Sequence, residues 1–201
     1  MVLITGCRGF IGRHVEGVGF TGDVRDKQSI LDQTEGITGI VHLASVSSNY
    51  SCERRIMDTI TTNLTGVLNV LEVAYEKKLW VVFVSTYQVE SCTLYGLSKL
   101  MGEELCRVFK DKGLAVSTVR LPIVFGENDR EHKVVTKLIG QVTRGEQVDI
   151  RTDEKLDFMY VQDAVDLIEC TVDVIKGKSP RNYTLTELTD AIEKVLVSKE
   201  V

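Results

Sequence analysis

Proline is scarce in this sequence. Only Pro122 and Pro180 occur in 201 residues, and both fall near the ends of predicted elements. There is no excess of basic charge: 24 Lys and Arg face 29 Asp and Glu, for a net charge of −5. That balance argues against a nucleic-acid surface and leaves no basic stripe for a membrane. No CxxC pair occurs among Cys7, Cys52, Cys92, Cys106 and Cys170. Five scattered cysteines do not make a disulfide framework or a zinc site, and a reducing cytoplasm is the expected compartment. No His/Asp/Glu cluster has metal-ligand spacing, so no metal is expected. Long apolar runs are missing too. The opening Met1–Ile4 stretch meets Thr5-Gly6 at once, too short for a signal peptide or a membrane span. Repeats and low-complexity tracts are absent.

What is present is ordinary globular material, 43% hydrophobic and 26% charged. It is enough for one good-sized core, or one core and a small lobe. Val2 to Ile4 reads as a short buried strand. It breaks into Gly6-Cys7-Arg8-Gly9-Phe10-Ile11-Gly12, a GxxGxxG loop predicted to open a helix from Phe10 to about Val15. In such a loop Gly6 permits a tight turn, Gly9 lets backbone approach a pyrophosphate, and Gly12 allows close packing on the sheet. The helix N-terminus would then hold the phosphates. Cys7 is most simply a small residue in a tight turn. The spacing rule also asks for an acid about 20 residues onward, near Asp23 and Asp26, but only Val18 to Thr21 offers a strand before them.

Further along, Lys27–Thr34 is a short helix and Gly39–Leu43 a strand. Ile56–Lys77 has sustained helical periodicity. Trp80–Ser85 is a continuous apolar run, as a central parallel strand requires. Ala115–Leu121 is a strand closed by Pro122. Strands alternating with helices predict an α/β doubly wound parallel sheet of Rossmann type, with its ligand at the carboxyl ends of the strands. After Pro122 the pattern changes. Lys133–Thr143 reads as helix, Val148–Ile150 and Phe158–Val161 as short strands, and Asp163–Val174 as a helix led by its Asp. A capping box at Thr184 to Glu187 precedes a last helix to about Leu196. Residues 1–125 are read as the dinucleotide-binding domain. Residues 126–201 are read as interleaved sheet elements with a small C-terminal substrate lobe. His42 on its apolar strand is expected to be packed, Trp80 to be core, and His14 and His132 to be surface. Asp157 and Arg151 are candidate substrate contacts or solvated charges.

Tyr95-Gly96-Leu97-Ser98-Lys99 stands at the start of a helix predicted over Leu97 to Lys112. Four residues apart on a helix, Tyr95 and Lys99 share a face. An ammonium beside a phenol favours the phenolate, lowering a pKa that is ordinarily near ~10. Such a phenol could move a proton to or from a sugar or alcohol hydroxyl.

Nine segments in order then resemble the extended short-chain dehydrogenase/reductase family of NAD(P)-dependent nucleotide-sugar epimerases and dehydratases. They are TGCRGFIG, GDVRD, VHLAS, NLTGVLNVLEVA, FVST, YGLSK, VRLPIVFGEND, LDFMYVQDAVD and YTLTELTDAI. The resemblance implies that Tyr95 is the catalytic acid/base and that Lys99 lowers its pKa and holds the nicotinamide ribose. It implies that Thr86 hydrogen-bonds the reacting hydroxyl. Gly6, Gly9, Phe10, Ile11 and Gly12 would hold the pyrophosphate of NAD or NADP, and Asp23 and Val24 would contact adenine. Leu43, Ala44, Ser45, Ser85, Pro122, Ile123 and Val124 would line the cofactor cleft. Arg8 in the glycine loop leans toward NADP, with a solvated arginine as the alternative. The implied activity is epimerisation of a nucleotide-sugar through a keto-sugar; a reductase or reductase-epimerase is the alternative, and a regulatory protein with a degenerate site is a third reading. A homodimer formed through the Ile56–Lys77 and Leu97–Lys112 helices is also implied. Tyr87-Gln88 stands where the family's dehydratases carry an acidic pair, which argues against dehydration.

The departures are the missing ribose-binding acid, a short loop between Thr86 and Tyr95, and a lean lobe. Either the protein is a minimal version, or segments near Val15, Glu90 and Ser179 are missing from the sequence. The second is preferred, because a parallel sheet lacking the strand next to its first would expose an apolar edge.

Overall fold

The computed structural model describes residues 1–129, 133–148 and 156–177. Five parallel strands form the main sheet: β1 (Val2–Thr5), β2 (Val18–Gly19), β3 (Gly39–His42), β4 (Trp80–Thr86) and β5 (Val116–Leu121), in the order β2-β1-β3-β4-β5. Alternation along the strands divides the core in two. Leu3, Ile40, Val81, Phe83 and Val116 join one apolar cluster with Val67, Val70 and Leu71 of α4 (Gly66–Lys77) and Phe109 of α5 (Leu94–Asp111). Their neighbours Ile4, Val41, Val82, Val84 and Val119 join the other, with Ala164, Ile168 and Val172 of α7 (Val161–Ile175). Both faces are covered, so the middle strands are apolar throughout, as a parallel sheet demands.

The expected Ile56–Lys77 helix is built in three pieces. These are α3 (Ile56–Ile60), a π-helical turn at Thr61–Thr65, and α4. Sequence periodicity sees one apolar face and not the inserted residue of a π turn. Two shorter helices complete this side: α1 (Lys27–Leu31), whose cap Asp26 accepts from Gln28 N, and α2 (Asn49–Arg54), which the apolar pattern did not signal.

Several expectations need correction. No α-helix follows the glycine loop. The chain makes turns to Ile11 and a three-residue 3-10 helix, Gly12–His14, because only five residues separate Gly12 from β2. After Val15-Glu16-Gly17 comes β2, which pairs Leu3 with Val18 and Ile4 with Gly19. So the strand beside β1 exists, reduced to two exposed residues. Helix α5 begins at Leu94 rather than Leu97, with Thr93 Oγ1 accepting from Gly96 N. Phe158–Tyr160 (β7) does not extend the main sheet; it pairs with β6 (Ile123–Phe125) in a separate two-stranded parallel sheet. Asp163 is not the cap of α7. It lies in the first turn, where its carboxylate suits the helix dipole. Between these elements lies α6 (Val134–Thr143), close to expectation. The Val148–Ile150 strand beyond its first residue, Arg151, His132, and the capping box and last helix all lie outside the described residues.

Candidate active site

In the order β2-β1-β3, successive connections leave β1 on opposite sides, and a crevice opens beyond its carboxyl end. A cavity of about 650 Å³ sits there. Its walls include the loop from Gly6 to Gly12, Asp23 and Val24, Leu43 to Ser45, Ser85 and Thr86, Tyr95, Lys99, and Pro122 to Val124. The residues nominated for catalysis and for the cofactor therefore all reach one space. Asp157 does not line it; its side chain is exposed and its carbonyl accepts from Ile123 N.

At the glycine end, Gly6 has φ +70° and lies so close to β3 that a Cβ would fall 2.7 Å from Ala44 N. Thr5 and His42 hold that approach. Thr5 Oγ1 accepts from Leu43 N and Ala44 N at 3.2 Å, and shares a 2.7 Å hydrogen bond with His42 Nδ1. With its acceptor sites engaged, Thr5 is the donor to the imidazole. Burial holds His42 neutral, its pKa lowered to about 3, with the nearby Lys99 charge adding to the effect. It is packed as expected and stacked on Phe83. The turn closes by Gly9 N donating to Gly6 O at 2.8 Å. A Cβ at Gly12 would lie only 2.3 Å from that same oxygen. Gly12 thus packs against the turn itself. Asp23 is gripped by Arg25, whose Nε reaches both carboxylate oxygens at 2.9 Å. That hydrogen bonding lowers the Asp23 pKa and occupies its carboxylate. Arg8 has no hydrogen-bond or ion-pair partner among the described residues.

At the other end, β4 delivers Ser85 and Thr86, and the first turns of α5 deliver Tyr95 and Lys99. Lys99 is 4% exposed. Its ammonium donates to Val84 O at 2.7 Å and lies 4.9 Å from the centre of the Phe83 ring. Burial lowers its pKa to about 8. The expected lowering of the phenol is not found. Burial pushes Tyr95 up to about 12, and the Thr86 hydroxyl works against it. Helical spacing gave the shared face correctly; it did not give the depth at which the ring sits or the carbonyl that engages the ammonium.

Asn63, in the π turn, is a partner that the sequence reading missed. Its Oδ1 accepts from Val46 N at 2.8 Å, and its Nδ2 donates to Val46 O and to Ser98 Oγ. It ties the loop after β3 to the helix carrying Tyr95. Ser48 in that loop takes φ +94°, a strained value for a serine. Gln88, Arg55 and Lys133 also line the cavity without having been singled out as part of it.

A parallel sheet with a glycine turn at its switch point, and a half-buried Tyr95 with a buried Lys99 at the same mouth, defines a Rossmann-type α/β protein. The chain belongs to the NAD dependent epimerase/dehydratase family, whose model matches residues 18–185, most of its length. It is 29% identical over 190 residues to the UDP-glucose 4-epimerase of Rickettsia typhi, covering 90% of this chain and 55% of that one. The chain therefore spans about half the length of the curated relatives it matches. Among solved structures it resembles the Thermotoga maritima UDP-glucose 4-epimerase with UDP-glucose, at TM-score 0.77 and 21% identity, over 86% of this chain and 73% of that one. It also resembles MoeE5 in complex with UDP-glucose and NAD, at TM-score 0.76 and 24% identity, over 86% and 72%. At these identities the structures support the fold.

Proposed function

We propose that the protein is an NAD(P)-dependent epimerase of a nucleotide-activated sugar. The observation carrying this reading is that Thr86, Tyr95 and Lys99 share one cavity with the glycine turn. The turn fits a diphosphate, because Gly6 and Gly12 leave no room for side chains where the backbone folds closest. A helix dipole adds little there, since the following helix is a three-residue 3-10 turn. Gly6 to Gly12 would hold the pyrophosphate, with Val24 against adenine and Lys99 at the nicotinamide ribose. When bound, the nicotinamide supplies reversible hydride chemistry at a sugar carbon. Tyr95 takes the proton of the reacting hydroxyl as a keto-sugar forms, and returns it on reduction of the other face. Thr86 orients that hydroxyl, and Lys99 is the cation that favours the phenolate. Tyr87 and Gln88 supply no acid for a leaving hydroxyl, which disfavours dehydration. Arg8, without a partner among the described residues, is available to a 2′-phosphate, so NADP stands beside NAD as a candidate cofactor.

A second reading, a cofactor-binding protein without turnover, is favoured by the phenol's pKa of about 12. One experiment separates the readings. Protein and candidate nucleotide-sugars are mixed with the oxidised cofactor, NAD or NADP, and in a separate arm with NADH or NADPH, while the nicotinamide absorbance is followed. Sugar interconversion at catalytic cofactor is expected. Net cofactor consumption indicates a reductase, and tight binding with neither indicates a binding protein.

The homodimer is proposed on Ile56, Met57, Leu97 and Met101, each 45–69% exposed on α3 and α5. Light scattering should give about twice 22.4 kDa; a monomeric mass would reject it.

A further inference from the structure

Between β4 and α5 the chain makes a single 3-10 turn, Tyr87–Glu90. Thr86 Oγ1 starts it by accepting from Gln88 N at 3.3 Å. Ser91 closes it, with its N and Oγ donating to Gln88 O at 2.9 and 2.6 Å. Helix α5 then lies directly on this turn. A Cβ at Gly96 would sit 2.1 Å from Gln88 O, so only glycine permits the approach. The result is that Gln88, Thr86 and Tyr95 line the same cavity. The backbone of Gln88 is fully engaged, whereas its carboxamide is not. Oε1 is buried and accepts no hydrogen bond. A buried acceptor left unpaired is destabilising, and such groups in folded proteins normally meet a donor on the chain, a water or a ligand.

We propose that Gln88 is the sugar-contact residue of this site, its carboxamide accepting a hydrogen bond from a hydroxyl next to the carbon that reacts at Tyr95. This rests on the reading of the substrate as a nucleotide-sugar, and it identifies what recognises the sugar rather than the nucleotide. A carboxamide both accepts and donates, which suits a secondary alcohol. It has no proton to give a leaving group, so it can hold a sugar hydroxyl without expelling it. A site with an unpaired acceptor at this point rejects an analogue lacking the hydroxyl, because the acceptor then stays unsatisfied.

The test compares wild type, Gln88→Met and Gln88→Glu by calorimetric titration with NADH, with UDP, and with UDP-glucose on the NADH-loaded protein. Gln88→Met keeps the length of the side chain and removes the acceptor. It should weaken UDP-glucose binding about tenfold, the worth of one ordinary hydrogen bond, and leave UDP and NADH binding unchanged. Gln88→Glu keeps an acceptor and should retain more sugar affinity than Gln88→Met. Where turnover is measured, KM for the sugar should rise more than kcat falls. Unchanged UDP-glucose affinity in Gln88→Met would overturn the proposal. So would a parallel loss of UDP, UDP-glucose and NADH binding, which would show Gln88 to be a prop for the wall. Failure of the unsubstituted protein to bind UDP-glucose while binding NADH would overturn the nucleotide-sugar reading itself, and this inference with it.

Discussion

Tyr95→Phe should lower turnover by at least about a hundredfold, the usual contribution of a placed acid/base, and leave cofactor affinity within about twofold. The substitution removes one hydroxyl and keeps the ring that fills the wall beside Gly96. The wild-type pH profile adds a second signature. With the phenol pushed up to about 12, the fraction present as base grows tenfold per pH unit at neutral pH. With the Lys99 ammonium lowered to about 8, the supporting charge falls tenfold per unit above that value. The two trends cancel there. The limiting rate constant kcat/KM in the oxidising direction should therefore rise to about pH 8 and flatten beyond it. Steady-state assays of wild type and Tyr95→Phe across that range check both expectations. Undiminished turnover in Tyr95→Phe would remove the phenol from the chemistry.

The second large effect belongs to the glycine turn. Gly12→Ala places a Cβ 2.3 Å from Gly6 O, well inside contact distance, and the obstructing atom is backbone. The turn that Gly9 N closes on that oxygen must open to admit it. Cofactor affinity should fall at least about tenfold. The main core should survive, because the side chains of Leu3, Ile40, Val81 and Phe83 pack elsewhere. Fluorescence titration with NADH, alongside thermal unfolding of the same sample, separates the two effects. Wild-type affinity in Gly12→Ala would show that the turn does not hold the diphosphate.

Sequence pattern served well where one physical term dominates. The run Trp80–Ser85 could only be a strand covered on both faces, and it is β4. The glycines, Thr86, Tyr95 and Lys99 were nominated together and line one cavity, because strand ends in a parallel sheet converge on one edge and α5 follows β4 there. What stayed hidden depends on local geometry that apolar spacing does not encode. The π turn in the Ile56–Lys77 helix, and with it Asn63, needs one residue more per turn than the pattern assumes. The helix expected after Gly12 fails because five residues before β2 must also bring the chain back to the sheet, which leaves room only for the 3-10 turn Gly12–His14. The Tyr95 pKa ran opposite to expectation because desolvation outweighed the Thr86 hydrogen bond, while the Lys99 ammonium donates to Val84 O. Gln88 was visible only as a missing acid; its unpaired carboxamide needed coordinates.

The most direct measurement is a crystal structure of the protein grown with NADH. The expected result is a diphosphate lying on the Gly6–Gly12 turn and a nicotinamide ring beside Lys99, close enough to Tyr95 for a sugar carbon to fit between ring and hydroxyl. A cofactor bound away from that turn, or a nicotinamide out of reach of Tyr95, would contradict the proposed chemistry.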